Sequence, residues 1–287
     1  MPAAGSAVSG GKRPMEDIRI AAVTCTCPAG AVDDNLETTA RWVQEAAARG
    51  AAIVCFPELN LSGYCLDKTV YRATARRYAD IVQALSRMAT AFDVVILAGT
   101  VAGDGGGDRF FAQHLVVVPH GPAGAYAKLH IAPPEKKVFM PGGAISLFET
   151  NGARFGIQLC YDAHFPELST QMAVQGADIF FMPHASPRNT PEAKLTSWMR
   201  HLPARAYDNT VFVVACNQSG SNGVGLEFPG VAVALNPSGE PMAKTTAPDS
   251  MIVVDLPQAL LEASRNHPMR YFLAGRRPDL YGFGSDQ

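Results

Sequence analysis

The sequence predicts a layered α/β protein, with β-sheet in the middle and helices outside. Three observations carry this. Short apolar runs of strand length recur along the 287 residues; early runs alternate with stretches of helical spacing; later runs come in pairs separated by turn residues. With 47% apolar and only 17% charged residues, the chain can bury a large core.

The elements follow in order. Ile18–Cys25 reads as the first strand, and Asp33, Asp34 and Asn35 offer caps for a helix that runs through Arg49 and ends at Gly50. Ala51–Phe56 is a second strand that runs into Pro57, Glu58 and Leu59. Tyr78–Phe92 carries Ile81, Val82, Leu85, Met88 and Ala89 on one helical face, and Val94–Ala98 is the next strand. The glycines of Ala102–Asp108 make a turn; they do not open a helix, so they are no dinucleotide loop. Phe110–Pro119 and Ala125–Ile131 form a strand pair about the turn His120–Gly124. Phe155, Ile157 and Leu159 alternate along a buried strand, followed by a turn from Cys160 to His164 and helical spacing over Leu168–Gly176. Asp178–Pro183 is a strand, Pro191–Asp208 a helix with Pro191 in its first turn, and Thr210–Asn217, Val231–Leu235 and Met251–Asp255 are strands. Residues 1–16 read as a flexible leader without the apolar stretch of a signal peptide. Residues 17–287 read as one domain whose polar arm begins at Gly275.

Composition excludes several functions. A net charge of -2, with no basic cluster interleaved with aromatics, argues against nucleic acid as a partner. No apolar run approaches the ~20 residues of a membrane span. Six cysteines without a Cys-x-x-Cys pair, in a chain with a large core, point to a reduced, cytoplasmic protein. The seven histidines have no metal-ligand spacing, and Cys25 and Cys27 lack nearby His or Cys partners, so no metal is expected.

Cys160 stands between a strand end and a helix start, the position of a nucleophile whose turn offers backbone N–H groups to a developing negative charge. The same position suits a small buried thiol. A nucleophilic cysteine needs a base, because a thiol of pKa ~8.5 is mostly protonated at neutral pH. His164 and His184 are poorly spaced for that work. Glu58, at a strand end in an apolar setting, would have its pKa raised by lost solvation, and Lys128, at another strand exit, could stabilise an oxyanion. Taken singly, each also reads as an ordinary strand-end charge.

Three stretches together resemble the motifs of the nitrilase superfamily, the carbon–nitrogen hydrolases. The first is Phe56-Pro57-Glu58-Leu59 with Ser62-Gly63-Tyr64; the second is Lys128-Leu129-His130 with Glu135 and Pro141-Gly142; the third is Gly156–Asp162 with Phe165-Pro166-Glu167. The resemblance covers about residues 18–282. It implies an α-β-β-α sandwich of four layers and a Glu-Lys-Cys triad that uses no metal or organic cofactor. In that pattern Cys160 is the nucleophile, Glu58 the base, and Lys128 with the Tyr161 backbone N–H the oxyanion hole. Glu135 matches a second glutamate that positions substrate and base. It also implies a homodimer or larger assembly through the helices after the nucleophile, with Trp198, Met199 and Leu202 suiting either an interface or the core.

Nitrile-hydrolysing members carry Cys-Trp-Glu at the nucleophile; Cys160-Tyr161-Asp162 looks like the amidase and carbamoylase branches. Ala163 and His164 stand where carbamoyl-D-amino-acid hydrolases place an arginine pair, which disfavours a substrate held by that guanidinium clamp. The expectation is a hydrolase of a small linear amide. An N-carbamoyl (ureido) compound comes second, and an acyltransferase or a non-catalytic protein on the same fold are lesser alternatives. Tyr64, Tyr161, His164, His184 and Ala185 are expected to line the substrate pocket.

Overall fold

The computed structural model describes residues 15–106, 108–150, 152–187 and 190–281. In the first of two six-stranded sheets, β1 (Ile18–Thr24), β2 (Ile53–Cys55) and β3 (Val95–Gly103) run parallel, and β4 (Phe110–Val117) and β5 (Ala123–Ala127) continue antiparallel. In the second, β6 (Leu147–Thr150) is antiparallel to β7 (Ala153–Ile157), which runs parallel with β8 (Ile179–His184) and β9 (Phe212–Asn217). A short hairpin, β10 (Ser219–Ser221) and β11 (Glu227–Pro229), stands apart. The strands β12 (Ala232–Leu235) and β13 (Pro241–Thr245) finish the second sheet. β14 (Ser250–Leu256) then crosses back to the first sheet and pairs antiparallel with β1, Leu256 opposite Ile18.

The pleat explains the continuous apolar runs. On β1, Ile20 and Ala22 join the core between the two sheets, whereas Ala21 and Val23 face the helix side; β2 divides Ile53 and Cys55 from Val54 in the same way. Strands buried on both faces read as unbroken hydrophobic stretches. On the outer face of the first sheet lie α1 (Val32–Ala48) and α3 (Tyr78–Phe92), through Val43, Ala46, Ile81 and Leu85. The second sheet packs α4 (Pro166–Val174) and α6 (Leu202–Asn209), through Met172, Leu202 and Ala206. The result is the four-layer α-β-β-α sandwich.

The structure corrects several sequence readings. Pro191–Asp208 is two helices: α5 (Pro191–Trp198), and α6, which restarts at Leu202. Pro203 lies in the first turn of α6, where its missing N–H costs nothing but where a through-going helix would lose a hydrogen bond. The residues expected to cap α1 do other work: Asn35 donates to the Pro28 and Leu61 carbonyls, and Asp33 pairs with Arg77. A helix between α1 and α3, here α2 (Lys68–Arg76), was not expected; Asp67 Oδ1 caps it by accepting from the Thr69 N–H at 2.7 Å. Unexpected too are the edge strands β6 and β13 and a final helix, α7 (Gln258–Arg265). The strand expected at Ala125–Ile131 ends at Ala127. Trp198 and Leu202 are core residues of their own chain, not surface available to a partner. Of the expected leader, residues 1–14 lie outside the described part; Met15 is buried, and the Glu16 N–H donates to the Gly152 carbonyl at 3.0 Å. The last turns of the described chain, Phe272–Gly275 and Pro278–Leu280, follow α7, with the Phe272 ring 5.5 Å from that of Tyr207 on α6.

One contact sets the position of the loop after β2. The Gly99 N–H donates to Asn60 Oδ1 at 2.7 Å, and the Leu61 N–H to the Gly99 carbonyl at 2.9 Å. A Cβ on Gly99 would stand 2.2 Å from the Leu59 nitrogen, so only glycine lets the Pro57–Leu61 loop lie on β3. Gly99→Ala should therefore overpack this seam by about 2 kcal/mol or more. Thermal unfolding followed by circular dichroism should show a melting point lower by roughly 5 °C.

Candidate active site

Glu58, Lys128 and Cys160 come from three loops that leave the strands at one end of the sandwich, the edge where open α/β sheets gather reactive groups. Glu58 follows β2, which ends when Pro57 turns the chain. It is 1% exposed, as is Lys128. Lys128 Nζ donates to Glu58 Oε1 at 2.9 Å and to Glu135 Oε2 at 2.8 Å. Neither residue is a strand-end charge in water, the alternative left open by sequence.

Further hydrogen bonds fix both glutamates. The Ala185 N–H donates to Glu58 Oε2 at 3.1 Å, Gln218 Nε2 to the Glu58 carbonyl at 2.7 Å, and the Ala132 N–H to Glu135 Oε2 at 3.2 Å. Burial pushes the Glu58 carboxyl up, and the charge of Glu135 adds to the shift against the opposing pull of Lys128. For Lys128, burial alone would lower the ammonium's pKa; Glu58, Cys160 and Glu135 outweigh it and hold the group well above its ordinary value. The lysine therefore stays a cation.

The strand β7 ends at Ile157, and Cys160 opens a short 3₁₀ turn over Cys160–His164. Its φ of 45° lies in the left-handed region, which a residue with a Cβ rarely adopts. Asp162 holds this bend. Buried, it accepts from the Leu159 N–H at 3.0 Å and the Tyr126 hydroxyl at 2.8 Å on Oδ2. Its Oδ1 accepts from the His130 N–H at 2.8 Å and lies 2.8 Å from His130 Nδ1. From the other side, Arg205 Nε donates to the Ala163 carbonyl at 3.0 Å. Cys160 is partly exposed; the other five cysteines are buried. Desolvation, then the charge of Glu58, pushes its thiol up to about 12, against Lys128 and Lys194.

A cavity of about 360 Å³ opens onto Cys160 and Glu135. Tyr64, Tyr161, His164, His184 and Ala185, named from the sequence as pocket-lining residues, all lie on its wall. Their settings differ. Tyr64 and His184 are buried, burial pushing the Tyr64 phenol up and the His184 imidazole down, whereas His164 is exposed at the rim. The Ala185 N–H is turned onto Glu58. Sequence reasoning missed Lys194, Trp198 and His201, which also line the cavity. They come from α5 and the break after it, and the Leu202-Pro203 step is the one local signal of that break. Larger cavities exist, of about 520 and 590 Å³, but neither reaches Cys160. Among the described residues, no cluster of His, Cys, Asp and Glu could hold a metal ion.

The arrangement is a thiol beside a buried carboxylate pair that shares one ammonium. It can add sulfur to a carbonyl, move a proton through Glu58 and face the resulting oxyanion with Lys128.

A family model described as carbon-nitrogen hydrolase matches residues 19–266. A protein called nitrilase from Pyrococcus abyssi is 28% identical over 87% of this chain and 93% of its own. An (R)-stereoselective amidase from a Pseudomonas species is 29% identical over 74% of this chain and 76% of its own. A point mutant of the amidase from Nesterenkonia sp. AN1 superposes with a TM-score of 0.80 at 25% identity, over 92% of this chain and 95% of that one; the active-site cysteine of that mutant carries the acetamide moiety of fluoroacetamide.

Two outcomes follow from the geometry. The thiolate fraction of Cys160 should grow about tenfold per pH unit below its pKa of about 12. Modification by methyl methanethiosulfonate, read by intact mass, should accelerate through pH 10 without a plateau; a plateau near pH 8.5 would mark an ordinary thiol. Asp162→Ala leaves the donors of Leu159, Tyr126 and His130 unsatisfied. It should cost about 3 kcal/mol in urea unfolding, whereas Tyr126→Phe should cost about 1 kcal/mol.

Proposed function

The chain belongs to the carbon–nitrogen hydrolase family, and from that premise we propose that it hydrolyses a small linear amide to a carboxylic acid and ammonia through a thioester on Cys160. The observation that carries this reading is the buried Glu58–Lys128–Glu135 triplet beside the cavity that Cys160 enters.

In this mechanism the resting nucleophile is a thiol, since its pKa lies near 12. Glu58 takes its proton as sulfur adds to the carbonyl carbon. The elevated pKa of Glu58 suits this transfer. The carbonyl oxygen becomes an oxyanion facing the Lys128 ammonium. When the tetrahedral adduct collapses, the C–N bond breaks, Glu58 returns its proton to the leaving nitrogen, and ammonia departs. The thioester remains. Glu58 then removes a proton from water, the hydroxide adds to the thioester, the C–S bond breaks, and sulfur recovers the proton. The sum is amide plus water giving acid plus ammonia. Glu135 touches the same ammonium and holds it between the two carboxylates.

The Cys160-Tyr161-Asp162 sequence, with tyrosine at the cavity wall, supports an amide rather than a nitrile substrate. Intact-protein mass spectrometry after rapid mixing with short-chain amides, with ammonia read in parallel, tests the route. The wild-type protein should gain one acyl mass, and Cys160→Ala none, with ammonia release down by about 10⁴-fold or more. Glu58→Gln should slow turnover by about 10²- to 10⁴-fold. A fully active Cys160→Ala protein would overturn the mechanism, and a carbamoyl-sized adduct would move the substrate to the ureido class.

A further inference from the structure

The cavity of about 520 Å³ adjoins the catalytic one and shares Tyr161 with it, but Cys160 does not line it. Its floor is apolar, with Ile131 and Phe139 buried. Its walls are rings. His130 stacks on Phe165 with 3.7 Å between centroids and 10° between planes, and Tyr161 meets Phe165 edge-on at 5.4 Å. Two exposed cations, Arg109 and Lys136, stand at its rim. Among the described residues neither is paired with a carboxylate. The imidazole of His130 is already engaged, its Nδ1 lying 2.8 Å from Asp162 Oδ1. No carboxylate side chain lines this cavity, whereas the catalytic cavity holds Glu135 and the cavity of about 590 Å³ holds Glu167. A cationic rim over an aromatic interior thus stands on a chain whose net charge is -2.

A ligand that fits must satisfy both parts. A flat ring packs offset or edge-on against aromatic walls. A carboxylate can take two N–H donors from the Arg109 guanidinium and the point charge of the Lys136 ammonium. A cationic ligand would meet like charge at the rim, and a bare anion would leave the apolar floor uncovered. The volume lies within the range of small-molecule sites. We infer that this cavity is a second ligand site, separate from the catalytic one, for a small aromatic carboxylate. Its occupant is not a substrate, because Cys160 lies beyond Tyr161. The walls belong to the two segments that carry the chemistry: residues 129–136 run from Lys128 past Glu135, and Tyr161 and Phe165 flank the turn of Cys160. His130 on the first segment already grips Asp162 on the second. An occupant braces the two segments against each other. Such a site goes beyond the amidase activity proposed above and does not depend on it.

The probe is 2-naphthoate, titrated calorimetrically into the full-length wild-type protein beside neutral 2-acetylnaphthalene, cationic 2-naphthylmethylamine and acetate. The acid should bind about tenfold or more tighter than the ketone, as a charge-assisted contact does, with the amine and acetate weaker still. It should also raise the melting temperature. The double variant Arg109→Met, Lys136→Met changes only exposed side chains and should bring the ratio of acid to ketone close to one. Saturating 2-naphthoate should not slow the modification of Cys160 by methyl methanethiosulfonate. Protection of Cys160, or a preference for the acid that survives in the double variant, would put the acid elsewhere and overturn the inference. So would a wild-type ratio at or below one, acetate binding as tightly as 2-naphthoate, or no binding of the acid, results that need no variant to fold. None of these readouts requires amide hydrolysis, so the amidase reading and the second site stand or fall separately.

Discussion

The Lys128 ammonium, buried between two carboxylates, is the constraint around which this end of the molecule is arranged. A cation at 1% exposure is tolerable only where opposite charge and hydrogen bonds replace its water. Glu58 and Glu135 supply both, and each is in turn fixed by a backbone donor, Ala185 from another loop for Glu58 and Ala132 from the same turn for Glu135. The group of three carries an excess negative charge next to Cys160. Burial first, and then the charge of Glu58, holds the Cys160 thiol protonated, and burial, with the charge of Glu135 added to it, raises the affinity of Glu58 for a proton. The same electrostatics that would make a poor free thiolate suit the proton transfer proposed for Glu58.

This group of side chains draws on both sheets. Glu58 and Lys128 come from the first, through the loops after β2 and β5, and Cys160 comes from the second, after β7. Docking of the two sheets through Ile20, Ala22, Leu97, Ile157 and Val214 therefore assembles the site as well as the core. The close seat of Leu59 on Gly99 and the fourfold use of Asp162 are local means to the same end. Each fixes a loop whose backbone is bent, at Leu59 and at Cys160, into positive φ.

Much of this was legible in the sequence, for identifiable reasons. The buried strands were visible because parallel strands covered on both faces leave unbroken apolar runs. The grouping of Glu58, Lys128 and Cys160 was visible because these residues sit in short motifs whose order and spacing agree. What was hidden depended on distant partners. The edge strands β6 and β13 pair on one side only, so Leu147–Thr150 and Pro241–Thr245 carry little apolar pattern. Asn35 reads as a helix cap until the Pro28 and Leu61 carbonyls arrive beside it. Nothing near Lys194 in sequence shows that α5 forms a wall of the cavity.

The pairing of β1 with β14 joins residues 236 positions apart, with the Arg19 guanidinium gripping Asp255 through both of its oxygens. During synthesis on the ribosome, one edge of the first sheet stays without its neighbour until nearly nine-tenths of the chain has emerged. That edge is apolar and rich in unpaired N–H and C=O groups, the kind of surface that recruits strands from other chains. Nascent copies spaced closely on one message would present it to each other. The last strand thus covers that edge, and chains truncated before Ser250 should precipitate more readily even with Glu58, Lys128 and Cys160 already made.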